Sequence, residues 1–290
     1  MNETLTTEGG RTVLRMERRF AHPVDKVWRA LSEPDELVHW FPSKVELDPA
    51  VGGKVRFIEE GDEYPSLDGE ITDLDPPRLI AYTWDDDHLR WELRPDGDGC
   101  VLTLTHTFGD RYGAGSFATG WTVCIDALGA RLAGEPPPEH VGSLDVFADL
   151  HERFVERFGL TEPMVRRTGE GWSVRIERQL VGPIDAVWRA LAGGAEVTVA
   201  SRPPSGLTTP AFPAGPVVTT DPPALVAYRW PPTGDPAGTV RWELSPGAGG
   251  ARLIVTVTVP TALADQRAIA GATWRARVEE VARQVRELPA

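Results

Sequence analysis

The sequence predicts an α+β protein built from two tandem copies of one domain, each a curved antiparallel sheet wrapped around a long C-terminal helix. Three observations predict it. The chain repeats itself: RMERRFAHPVDKVWRAL at 15–31 returns as RIERQLVGPIDAVWRAL at 175–191, an ungapped offset of 160. Within a copy, the periodicities run strand, two short helices, a meander of strands, then a long helix. The meander reads as an antiparallel sheet with one face to bury, and only the last helix is long enough to cover it.

The repeat continues in order. DPPRLIAYTW (75–84) returns as DPPALVAYRW (221–230) at offset 146, and RWEL occurs at 90–93 and 241–244 at offset 151. VLTLTHTF (101–108) matches RLIVTVTV (252–259), and Trp121 has its counterpart in Trp274. The fall from 160 to 146 means that copy two lost about fourteen residues between its first helix and its Asp-Pro-Pro turn. The rise to 151 means it gained five around Pro231–Gly238. The first domain is predicted at 11–158 and the second, shortened one at 172–290. The segment 159–171, GLTEPMVRRTGEG, reads as a linker with no apolar period.

Each element has a local reason. Thr12–Phe20 places Leu14, Met16, Arg18 and Phe20 on one face, a strand period. Pro23 opens a helix, where no amide donor is needed, and Val24, Val27, Trp28 and Leu31 follow at helical spacing. Pro34 ends it, and a short second helix leads to Trp40. Strands follow at about 44–48, 53–60, 67–74, 78–85, 88–95 and 99–108, punctuated by Gly52-Gly53, Asp75-Pro76-Pro77, Asp85-Asp86-Asp87 and Pro95-Asp96-Gly97. A helix over 114–133 carries Phe117, Trp121, Ile125 and Leu128 three or four apart, and another over 143–158 carries Phe147, Leu150 and Phe154.

Composition excludes several classes. Among 290 residues, 41% are hydrophobic and 25% charged, and no stretch approaches the ~20 apolar residues of a membrane span. The start, MNETLTTEGG, lacks a basic segment followed by an apolar one, so the expectation is a cytoplasmic protein without a signal peptide. Residues 1–160 carry 31 acidic and 16 basic side chains, whereas 161–290 carry 12 and 14. An acidic first half argues against a nucleic-acid partner. Cys100 and Cys124 form no disulfide framework and read as reduced; no Cys/His spacing marks a metal site, and no fingerprint marks a cofactor. Three Lys against 27 Arg, with abundant Ala, Gly and Pro, fits a GC-rich bacterial genome.

A sheet curved around one helix leaves space between them, a natural ligand cavity. His106 shares parity with Leu102, Leu104 and Phe108, so it faces the helix. It reads as a core histidine bonded to nearby backbone, or as a polar anchor or acid–base group in the cavity. It is the only catalytic candidate, and Val257 holds its place in copy two. Arg18 and Arg178 lie on the apolar parity of equivalent strands and need acidic partners, in a structural role or as an anion clamp. Trp40, Phe41, Phe57, Tyr82, Trp84, Trp91, Phe108, Phe117 and Trp121 form the aromatic set, part core and part wall. Asp85-Asp86-Asp87 reads as a solvated turn, and His22, His39, His88, His140 and His151 as loop or helix-surface residues.

The pattern ERxF–P–VWxAL, His39-Trp40-Phe41 (without its Trp-Phe counterpart in copy two), GGKVRF, DPPRLIAYTW and LTHTF resembles the family related to the C-terminal domain of the activator of heat-shock protein 90 ATPase, in the START-like superfamily. The resemblance implies a helix-grip (START/Bet v-like) fold with an apolar pocket whose mouth is lined by Trp40-Phe41. Copy two lacks that pair and the Gly52-Gly53 strand ending in Phe57, having ASRPPSGLTTPAFPAGP (200–216) instead. The expected function is binding of a hydrophobic small molecule in the first domain, by Trp40, Phe41, Phe57, Trp84, Trp91, His106, Phe108, Phe117 and Trp121. The alternatives are an enzyme resembling polyketide cyclase/aromatases, and a chaperone cofactor or protein-interaction module. No cofactor, metal, nucleic-acid or membrane partner is expected.

Overall fold

The strand that opens the repeat is the second strand of the chain. In the structure, a computed structural model describing residues 2–58, 67–138 and 141–287, β1 (Asn2–Glu8) pairs antiparallel with β2 (Arg11–Phe20), Leu5 opposite Leu14. The first unit therefore begins before residue 11. Leu5 is the one apolar residue of β1, so no hydrophobic alternation announces it. Its buried residue is Glu3, which accepts from Arg18 Nη1 at 2.8 Å and supplies the acid that Arg18 needs.

After β2 come α1 (Val24–Ser32) and α2 (Pro34–Leu37), with Pro23 at the N-cap of the first and Pro34 in the first turn of the second. The strands β3 (Lys44–Leu47), β4 (Lys54–Ile58), β5 (Leu67–Asp75), β6 (Leu79–Trp84), β7 (Asp87–Asp96) and β8 (Gly99–Phe108) then form a meander. Of the predicted strand 53–60, residues 59 and 60 lie outside the described residues, as does His140. The eight strands run in the order β1-β2-β8-β7-β6-β5-β4-β3, each antiparallel to its neighbour. Helix α3 (Ala114–Ala133) buries Trp121, Ile125, Leu128 and Leu132, and the small Ala118, Ala127 and Ala130 let it lie close. It ends because Gly134 takes the left-handed conformation (φ +73°), letting Glu135 N–H reach the Ala130 carbonyl at 2.9 Å.

The chain divides into two compact units at Leu150/His151, inside α4 (Leu144–Arg157). The second unit contains the C-terminal half of α4, β9 (Met164–Arg167), β10 (Gly171–Val181), α5 (Ile184–Ala192), β11 (Val217–Asp221), β12 (Leu225–Trp230), β13 (Gly238–Gly247), β14 (Gly250–Pro260) and α6 (Gln266–Arg286). Its sheet runs β11-β12-β13-β14-β10-β9. The segment expected as a linker thus holds a strand. β9 pairs Met164 with Arg175 as β1 pairs Thr4 with Arg15, again at offset 160, so the duplication includes the edge strand.

The second sheet has no counterpart of β3 and β4. In their place, residues 193–216 turn inward. Leu207 and Phe212 are fully buried, and Phe212 packs on Trp230 (4.8 Å) and Trp274 (5.9 Å). The Leu207 carbonyl accepts from Tyr228 Oη (2.7 Å) and Trp242 Nε1 (3.0 Å). The Pro-rich segment fills the concave side of this sheet.

One helix-surface expectation is overturned. His151 is fully buried, with Nε2 on the Gln179 carbonyl at 3.2 Å. Burial and the adjacent Arg178 lower its pKa to about 4. Arg178 pairs with Glu152 (2.6 Å) and Glu279 (3.2 Å), so this arginine is also structural. His88, likewise, lies on β7 with Nε2 2.8 Å from Thr72 Oγ1. Both cysteines are free. Among the described residues, no helix is long and apolar enough to cross a membrane.

Candidate functional site

Between the first sheet and α3 lies a partly open cleft of about 340 Å³, near the lower end of the ligand-pocket range. One wall is a face of α3: Ser116, Phe117, Gly120, Trp121 and Cys124 recur at helical spacing. The facing wall is Trp84 from the end of β6, the turn residues Asp85 and Asp86, Asp87 at the start of β7, and His106 on β8. Pro42 and Leu67 complete it.

The polar end is a chain of three side chains. Trp121 Nε1 donates to His106 Nδ1 at 3.1 Å, and His106 Nε2 lies 3.0 Å from Asp87 Oδ2. An indole N–H only donates, so Nδ1 presents its lone pair, and the proton of the neutral ring sits on Nε2, donated to Asp87. His106 is buried, with Phe108 (4.7 Å) and Phe117 (5.1 Å) around its ring. Arg11 Nη2 stands 3.5 Å from the other Asp87 oxygen. His106 therefore bonds to two side chains and not to backbone, and the turn read as merely solvated supplies one of them.

The sequence-predicted residues divide into two groups. Trp84, His106, Phe117 and Trp121 line the cleft. Trp40, Phe41, Phe57, Trp91 and Phe108 stand outside its lining, in the packed aromatic body behind it. Phe57 stacks on Trp84 (4.8 Å), Phe41 packs on Trp84 (5.5 Å) and Trp121 (5.7 Å), and Trp91 meets Trp121 (5.3 Å) and Trp40 (5.5 Å) edge-on. Phe108 packs on Phe117 at 4.7 Å. Trp40 Nε1 is used by the Ala30 carbonyl, and Trp91 Nε1 by Tyr82 Oη. These five fix the positions of the wall residues.

Pro42, Leu67, Asp85, Asp86, Asp87, Ser116, Gly120 and Cys124 are the lining residues that sequence reasoning missed. Spacing from Phe117 and Trp121 would have found the three on α3. Cys124 touches the cleft, yet burial pushes its thiol up to about 12, so it stays protonated and is no nucleophile near neutral pH. Among the described residues, no group of three or more His, Cys, Asp or Glu is placed to hold a metal.

Residues 21–133 match the model of the family described as Activator of Hsp90 ATPase homolog 1-like protein. That match covers 113 of the 290 residues, all within the first unit. No curated protein matches the chain. Among solved structures, this chain is similar to a conserved protein of unknown function from Enterococcus faecalis (21% identity, 53% of this chain and 89% of that one, TM-score 0.46). It is similar to CalU16 from Micromonospora echinospora (23% identity, 53% and 96%, TM-score 0.43). DynU16, from the dynemicin biosynthetic locus, is similar over both domains (17% identity, 94% and 98%, TM-score 0.41).

The second domain is an internal comparison for this site. Asp87 and His106 correspond to Gly238 and Val257, both at offset 151, and the strand register agrees: Leu89 faces His106 as Val240 faces Val257. Trp274 keeps the place of Trp121 against Trp242 (5.8 Å), but its buried indole N–H has no hydrogen-bond partner among the described residues.

Proposed function

We propose that the first domain binds a hydrophobic small molecule in the cleft between α3 and the Trp84–His106 wall. The observation that carries this reading over catalysis is the engagement of both His106 nitrogens, by Trp121 and by Asp87. A general base needs a lone pair free for substrate. Here Nδ1 would have to leave a buried indole N–H, and among the described residues no second acid–base pair faces the cleft. Away from the acidic turn and Ser116, the wall is aromatic and aliphatic, which suits affinity from buried apolar area. A chaperone-cofactor role finds less support: among the described residues the large exposed hydrophobics are Val, Leu and Ile scattered along the chain, with no aromatic among them.

The test uses Gly120. It lies mid-helix on the cleft wall, and a Cβ there meets no atom within 4 Å. Gly120→Leu therefore fills the cleft without disturbing the helix. Calorimetric titration of the full chain with a two-ring apolar probe, 2-naphthylmethanol, is expected to show saturable binding that Gly120→Leu abolishes while the circular dichroism spectrum is retained. Equal binding by the variant would rule out the cleft.

A further inference from the structure

The cleft carries charge of one sign. Asp85, Asp86 and Asp87 all contribute to its wall, and the described lining residues include no Lys or Arg. The three carboxylates are not equivalent. Asp87 accepts from His106 and stands beside Arg11, so much of its charge is compensated. Arg11 reaches Asp86 only through the backbone carbonyl. Neither the Asp85 nor the Asp86 carboxylate has an ion-pair partner among the described residues, and both side chains are exposed at the cleft's edge.

Beside these carboxylates stand aromatic walls. Trp84 immediately precedes the acidic turn, and Trp121 faces it from α3, the two rings 6.2 Å apart. Aromatic faces attract cations through the ring quadrupole, and tryptophan does so best. An anionic ligand here would meet two uncompensated carboxylates in a partly dehydrated space with no cation to answer it. A neutral ligand would leave them to water. A cation would satisfy carboxylate and aromatic face together.

We propose that the cleft selects amphipathic cations: an apolar ring body seated between Trp84, Phe117 and Trp121, with a protonated amine at the Asp85-Asp86 edge. This rests on the reading of the cleft as a ligand site and names the ligand's charge class. The selectivity comes from those two side chains and not from the net charge of the whole first domain, because contact distances outrank a diffuse field at physiological salt.

The experiment titrates the full chain by calorimetry, at neutral pH, with three probes sharing one ring system: 2-naphthylmethylamine, 2-naphthylmethanol and 2-naphthylacetate. The amine is expected to bind about tenfold tighter than the alcohol, a difference of ~1.4 kcal/mol, and the acetate weaker than both. The Asp85→Asn/Asp86→Asn double variant should bring amine and alcohol to within about twofold of each other. Asparagine suits position 85, whose φ of +52° lies in the left-handed region that Asn tolerates. Equal binding of amine and alcohol by the parent chain overturns the charge selectivity and leaves the apolar cleft standing. Amine preference that survives the double variant, or amine binding that survives Gly120→Leu, assigns the cation to the general acidic surface and also overturns it. Binding of none of the three by the parent overturns both readings.

Discussion

Replacing His106 by valine tests whether the Trp121–His106–Asp87 chain holds the first domain together. The strand itself accepts valine, because Val257 occupies the same register in the second domain. The cost comes from the neighbours. Trp121 is buried, and without Nδ1 its indole N–H has no acceptor, a loss of about 1–3 kcal/mol. The smaller side chain also loosens the packing of Phe108 and Phe117. Asp87 loses one donor but keeps Arg11 and partial exposure, which limits its share. The sum is about 2–4 kcal/mol, well above the near-neutral outcome that the valine in copy two suggests from sequence alone. Amide hydrogen exchange read by mass spectrometry separates the domains: peptides of β8 and α3 should lose protection, and those of β14 and α6 should not. The decisive control is Trp121→Phe, which removes the orphaned donor. In that background His106→Val should cost at least 1 kcal/mol less. A cycle with no coupling, or a single-variant loss below about 0.5 kcal/mol, would refute the reasoning.

Three further outcomes are expected. Because His151 is held neutral, the unfolded chain binds its proton more readily; stability is full above pH ~6.5 and falls as the pH drops towards about 4, by roughly 3 kcal/mol. Urea unfolding of the second domain at pH 7 and 4.5 should show that loss in the parent and much less of it in His151→Gln; parallel losses would remove His151 as the cause. Phe212→Ala should destabilise the second domain by about 3–5 kcal/mol, since the ring is fully buried against Trp230 and Trp274, and a thermal melt that does not move would contradict its role as filler. A C-terminal fragment beginning at 143 should melt well above one beginning at 161, which lacks the His151 and Glu152 partners of Arg178; equal melting would make that pairing dispensable.

The duplication and the interior strands were legible because both leave marks in local sequence: repeated blocks, alternation and turn residues. The N-terminal edge strand of each sheet left none. β1 reads NETLTTE and β9 reads MVRR, and each is stabilised by pairing with one neighbour more than by an apolar face of its own. Within the site, parity told which face Trp84, Trp91, His106 and Phe108 share. It could not tell which of them border the cleft and which lie behind it, because depth depends on how sheet and helix pack. Asp87 escaped for a related reason. An acidic turn is usually solvated, and only the register between β7 and β8, Leu89 opposite His106, brings it to the imidazole. His151 could have been read: it falls four residues after Phe147 and three before Phe154, on the apolar face of its own helix.

The two copies together separate what the fold requires from what the cleft requires. Both keep the buried tryptophan of the long helix, the Tyr82–Trp91 or Tyr228–Trp242 pair beneath it, and an arginine on the second strand with acidic partners. In copy one the Tyr82 hydroxyl accepts from Trp91, and the concave side stays open enough for a cleft. In copy two the tyrosine and tryptophan both turn to the Leu207 carbonyl, and Phe212 packs where the concave side would otherwise lie open. The Asp–His pair is present with the cleft and absent where the concavity is filled. Among the described residues its absence leaves the Trp274 indole unpartnered, in a domain that still has a six-stranded sheet and the long helix. The helix-grip architecture therefore does not need the pair. A buried histidine and a carboxylate at a cleft wall, not required by the architecture and expensive to desolvate, stand where the proposed ligand would be met.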